Sequence, residues 1–177
     1  DALLILCDAG VTGGTGRCTL RAAVMEANAA NGIDTIEVPT GIYKLNPNLG
    51  PLVVTSEVKI QGAAASRPIL DGMNGTLRTR LIHVSGGGYL VANHLTIQNG
   101  YSQVGGGIAV DDGTAELNDL MIRDNGSFTG GGGLVIGGKG TVKLWRSTIF
   151  HNMGGAFGGG ILNQGTLWVV DSTIANN

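Results

Sequence analysis

His94, Asp119, Arg146 and Asp171 stand at corresponding positions of four similar blocks about 26 residues apart, and they are residue types that acid–base chemistry uses. A polysaccharide lyase or hydrolase would need such groups to converge: carboxylates to hold calcium or move a proton, and a lysine or arginine as base, on adjacent layers. Strands stacked about 4.8 Å apart would make these four side chains one charged column. The alternating signs fit a solvent-facing ladder better, because Arg146 between Asp119 and Asp171 satisfies both without a substrate. Asp111, Asp112, Asp124 and His151 fall in expected loops with no motif spacing, and His83, within Leu81-Ile82-His83-Val84, reads as an outward strand histidine. Three scattered histidines and two cysteines paired with each other make no transition-metal site. The glycine run 130–133 leads into no helix and lacks the Gly-Lys-Ser/Thr ending of a phosphate loop. No catalytic residue, metal or cofactor is therefore assigned.

Trp145, Trp168 and Val170 form a second group, of a different kind. All three fall at positions that the repeat turns outward, on two adjacent coils, where water penalises apolar surface by roughly 25 cal/mol per Å². They read as a partner-binding surface. A partner protein, a sugar ring stacked on indole, or a neighbouring segment of the same larger protein could cover it.

The elements that would position these residues follow from the repeat. Leu90 to Ile97, Ala115 to Ile122, Val142 to Ile149 and Leu167 to Ile174 align without gaps. Between them recur Gly105-Gly106-Gly107-Ile108, Gly131-Gly132-Gly133-Leu134 and Gly158-Gly159-Gly160-Ile161. Each period holds three short strands and three corners. Such a unit cannot close a core alone, so it must stack on its neighbours as a right-handed parallel β-helix. Positions seven, five and two before each isoleucine, and the isoleucine itself, point inward. The two residues between the fifth and second positions form a corner with both side chains out. Asn125, Asn152 and Asn177, three beyond the isoleucine, are expected in a left-handed backbone as a stacked amide ladder, which Asn99, one place early, breaks.

Thr19 N-caps the one convincing helix, Leu20 to about Asn31, with Gly32 as its stop. Leu20, Ala23, Val24 and Ala27 share a narrow face suited to a lid over the open end of the first coil. Cys7 and Cys18 bracket a glycine-rich loop of about a dozen residues, whose closure by a disulfide would add roughly 3 kcal/mol. Two reduced core thiols are the alternative. A bridge implies export, so Asp1 is expected to follow a removed leader or to mark the edge of a fragment. Net charge is −2 and hydrophobic content 42%, which leaves no basis for nucleic-acid binding, and no stretch approaches the ~20 apolar residues of a membrane span. The 32 glycines fall largely at fixed corner positions and so read as turn chemistry, not disorder.

Cys18-Thr19-Leu20-Arg21-Ala22-Ala23-Val24, followed by Asp34-Thr35-Ile36 and Gly41-Ile42-Tyr43, resembles the Cys-Ser-Leu-Arg-Glu-Ala-Ile capping motif of bacterial secreted right-handed parallel β-helix proteins. Ala22 stands where that motif carries Glu, which removes a capping-box partner for Thr19. The C-terminal coils resemble those of polymorphic outer-membrane adhesins. The resemblance implies export and cell-surface residence without implying one activity.

The expected organisation is one domain over residues 1–177: a disulfide loop and capping helix (1–33), irregular coils (34–88) and regular coils (89–177). The expected function is a non-catalytic exported structural or interaction module, completed at its open C-terminal end by a protein partner or further repeats. A polysaccharide lyase or hydrolase acting along one face is the alternative.

Overall fold

The computed structural model describes residues 4–6, 19–73 and 78–177. Cys7 and Cys18, with the disulfide expected between them, lie outside the described residues.

The chain is an all-β parallel β-helix with a single α-helix among the described residues, near its start. β1 (Leu4–Leu6) precedes α1 (Leu20–Ala29). The first coil holds β2 (Asp34–Val38), β3 (Ile42–Lys44) and β4 (Leu52–Val54); the second holds β5 (Glu57–Gly62), β6 (Ile69–Asp71) and β7 (Ile82–Val84). The third is β8 (Tyr89–Asn93), β9 (Thr96–Gln98), β10 (Tyr101–Ser102) and β11 (Ile108–Val110). The fourth is β12 (Thr114–Asn118), β13 (Met121–Arg123), β14 (Gly126–Ser127) and β15 (Leu134–Ile136). The fifth is β16 (Thr141–Trp145), β17 (Thr148–Phe150), β18 (Met153–Gly154) and β19 (Ile161–Asn163); β20 (Thr166–Val170) and β21 (Thr173–Ala175) open a sixth.

Like strands of successive coils pair in parallel. The first sheet runs β1-β2-β5-β8-β12-β16-β20, the second β3-β6-β9-β13-β17-β21 and the third β4-β7-β11-β15-β19. A fourth sheet, β10-β14-β18, was not anticipated: its two-residue strands pair at the corner after the second sheet, too short for an alternation to reveal them.

The aligned blocks stack in the expected register, with Ile97, Ile122 and Ile149 in one fully buried column beside Leu95 and Leu120. Ile174 continues the column but is 47% exposed, because no described coil lies on it. The corner after the first sheet is made by one left-handed residue per coil, His94, Asp119, Arg146 and Asp171, which breaks the alternation where the sequence shows it breaking.

The asparagine expectation needs correction. The left-handed residues at the next corner are Asn99, Asp124, His151 and Asn176, one place earlier than expected. The turn they make points the following side chain inward, so Asn125 and Asn152 are buried in the core. Asn125, Asn152 and Asn177 do form the amide ladder, and it stops at the third coil as expected, where Asn99 Nδ2 turns to Asp71 and Gly100 holds the ladder position. The Gly100 backbone N–H caps the ladder's last oxygen, donating to Asn125 Oδ1 at 2.9 Å.

Gly105, Gly131 and Gly158 take positive φ, while Gly106 gives close passage, since a Cβ there would overlap the Gly126 carbonyl. This loop lies against the outer side of the third sheet, where Gly105 abuts Val135, and outward Ala109 and Val135 are buried along with the inward residues.

α1 ends at Ala29, two residues before the expected last residue Asn31, because the Ala30 N–H already bonds Glu26 and Ala27 carbonyls as the chain turns away. Leu20, Ala23, Val24 and Ala27 are buried against the first coil. The helix also satisfies the outer edge of β4: Arg21 donates to the Pro51 and Gly50 carbonyls at 2.7 and 2.6 Å. Asn28 Nδ2 donates to Val53 O, and its Oδ1 accepts from the Thr55 N–H. A strand edge that would otherwise be free is thus closed by side chains.

Candidate interaction face

The outer side of the first sheet is where outward residues of successive coils meet without a covering loop like that on the third sheet. One row runs Val91, Glu116, Lys143, Trp168; the next runs Asn93, Asn118, Trp145, Val170. Their chemistry changes along the axis. In the second to fourth coils the latter row is an amide ladder, with Asn93 Nδ2 donating to Gln61 Oε1 and Asn118 Nδ2 to Asn93 Oδ1, both at 2.9 Å. In the former row Lys143 Nζ bonds Glu116 Oε1 at 2.9 Å, and that bond holds the lysine above its ordinary pKa.

Beyond this point both rows become apolar. Trp145 and Val170 are in-register neighbours, and Trp168 lies two residues from Val170 on the same strand. Trp145 is 36% and Trp168 51% exposed, whereas Val170 is half-buried. The face turns without a break onto the last described coil, whose inward Val169 is 43% exposed.

The charged corner flanks the face. Arg146 grips Asp119 with both prongs, Nε to Oδ1 at 3.0 Å and Nη2 to Oδ2 at 2.8 Å, while His94 Nε2 lies 3.8 Å from Asp119 Oδ2. The hydrogen bonds from Arg146 and its charge hold the Asp119 carboxyl below the usual range, against a partial desolvation that raises it. The guanidinium fork bonds Asp119 alone, and Asp171 interacts with Arg146 through its charge without a direct bond, so one arginine serves both aspartates unequally.

Asp124 and His151 are not scattered loop residues but consecutive members of the second left-handed corner, 4.0 Å apart, with Arg123 2.7 Å from Asp124. His83 does face outward, and its Nε2 bonds Asp111 Oδ2 at 2.7 Å. Each of the three histidines thus meets an aspartate of an adjacent coil. Burial opposes ionisation of Asp71, but bonds from Gln98, the Met73 N–H and Asn99, with Lys44 nearby, outweigh it and hold its carboxyl low. These carboxylates lie on separate sheets and corners, each with its own donors. Among the described residues no three His, Cys, Asp or Glu side chains converge as a metal site, and no helix is long and apolar enough to cross a membrane.

A second apolar cluster went unnoticed in the sequence. Met153, in β18 of the short fourth sheet, and Phe128 and Phe157 beside that sheet are well exposed. Glycine-rich surroundings, without alternation, conceal which way such side chains point. No family model, curated protein or solved structure matches the chain.

Proposed function

We propose that this chain is a non-catalytic structural or interaction module of an extracellular or cell-surface assembly. Protein is the partner, held on the face of Trp145, Trp168 and Val170 where it runs onto the last described coil. The observation that carries this reading is the switch in one outer row from hydrogen-bonded amides, Gln61, Asn93 and Asn118, to exposed Trp145 and then Val170. A solvated face gains nothing from that change, whereas an interface gains two aromatic anchors. The charged corner supports the same reading, because Asp119 is already neutralised by Arg146 and offers no free acid–base pair.

The double substitution Trp145→Ser, Trp168→Ser tests it in the full chain. Thermal unfolding should change little, as outward positions contribute little to the core, while attachment to the producing cell's envelope should fall at least about tenfold. Undiminished attachment would overturn the reading. So would release of unsaturated, ultraviolet-absorbing sugars from a uronate polymer by the purified protein.

A further inference from the structure

Asn-Gly occurs at four places in the chain, and it is the dipeptide in which a backbone nitrogen, unshielded by a side chain, can attack the amide before it. Asn74-Gly75 lies outside the described residues; the other three stand in contrasting surroundings. Asn99 is left-handed, its Nδ2 bonds Asp71 Oδ1 at 3.1 Å, and the Gly100 N–H is held by Asn125 Oδ1 at 2.9 Å. Asn125 is buried, its Nδ2 bonds Ile97 O and Asn152 Oδ1, and the Gly126 N–H bonds Gly100 O at 2.8 Å. In both pairs the attacking nitrogen is already a donor and the side chain is tied down. Space is closed as well, since a Cβ on Gly100 would meet the Gly106 carbonyl and one on Gly126 the Tyr101 ring. Asn31-Gly32, in the link from α1 to β2, differs on every count. Both residues are exposed, and neither the Asn31 side chain nor the Gly32 N–H has a hydrogen-bond partner among the described residues. Gly32 has φ 94°, and beyond its chain neighbours no atom lies within 4 Å of where its Cβ would stand.

We infer that Asn31 is a modification site, deamidating without an enzyme, and that the product loosens α1 from the first coil. The Gly32 nitrogen gives its proton to hydroxide and bonds Asn31 Cγ. The Cγ–Nδ2 bond breaks, and the nitrogen leaves as ammonia with a proton taken from water, which closes a five-membered succinimide. A water molecule then opens the ring. Attack at Cγ gives aspartate, whereas attack at the Asn31 main-chain carbonyl gives isoaspartate, whose backbone runs through the former side chain. The balance is one water consumed and one ammonia released, with no oxidant or cofactor. Both products place a carboxylate just past the last carbonyls of α1, the negative end of its dipole. Isoaspartate also adds a methylene to the link between Ala29, the end of α1, and Asp34, the start of β2. Ala27 and Asp34 are both fully buried, so the ends of that link are fixed and the added length has to be taken up by the helix.

The test is to age the full chain in mildly alkaline buffer and follow the exchange of amide for carboxyl by mass in the tryptic peptides 22–44, 81–123 and 124–139, with fragmentation to place it. Asn31 should convert at least about tenfold faster than Asn99 and Asn125 in the folded chain, and in urea the three rates should come within about threefold of one another. The aged chain should unfold several degrees below the fresh one, while an Asn31→Gln chain aged alike should keep its own Tm. Equal rates at the three asparagines of the folded chain, or a preference for Asn31 that persists in urea, overturns the site. An aged chain with an unchanged Tm, or an equal drop in the Asn31→Gln chain, overturns the loosening of α1.

Discussion

Asn152 Nδ2 and its backbone N–H both donate to a single oxygen, Asn177 Oδ1, at 2.9 and 3.0 Å. The same amide reaches back to the Ile122 carbonyl at 2.9 Å and sideways to Phe150 O at 3.0 Å, while Asn152 Oδ1 accepts from Asn125. One buried side chain therefore ties three coils together.

Asn152→Ala should accordingly cost about 2–4 kcal/mol, since it leaves the buried Asn125 N–H and side-chain amide without the oxygen that both donate to. Asn177→Ala, at the exposed end, should cost less than half as much. Urea unfolding of the two variants checks the order; equal losses would show that the ladder does not carry the difference.

Ile149→Asp should remove about 4 kcal/mol or more and unfold the C-terminal coils, because it places a carboxylate in a fully buried column. Ile174→Asp occupies the same register position but is 47% exposed and should be tolerated. The two Tm values settle whether burial or register position governs the effect.

Asn28→Ala should cost about 1–2 kcal/mol and increase aggregation, because Val53 O and the Thr55 N–H on the rim of the first coil both lose their side-chain partner. Unfolding midpoints together with light scattering would check this, and an unchanged scattering signal would show that Arg21 and α1 close the edge unaided.

Asp119 titrates below the ordinary carboxylate range because of Arg146, so its contribution to stability is present above the unfolded pKa near 4 and is lost as pH falls through the folded value. Arg146→Gln should raise the Asp119 pKa and flatten the acid limb of the stability curve below about pH 4. Carbon-detected carboxyl titration measures the first, and unfolding between about pH 5 and pH 2.5 the second. An unmoved Asp119 titration would contradict the grip seen in the structure.

How far the fold was legible depends on whether a residue's direction is set by its neighbours in sequence. The isoleucine column, the slip in alternation at His94, Asp119, Arg146 and Asp171, and the apolar face of α1 are all local, because strand and helix periods alone decide which way those side chains point. The outward placing of Trp145, Trp168 and Val170 came from the same period. Asn125 and Asn152 were misplaced by one residue, since sequence cannot tell the residue that makes a left-handed turn from the one the turn drives inward. The fourth sheet, the grip of Arg146 on Asp119 alone and the covering of Val135 by the Gly105 loop all depend on which coil lies against which, and at what offset. The repeat by itself determined the solenoid and its register. Only stacking decided which polar groups are satisfied, for a hydrogen bond between coils has no signature within either one.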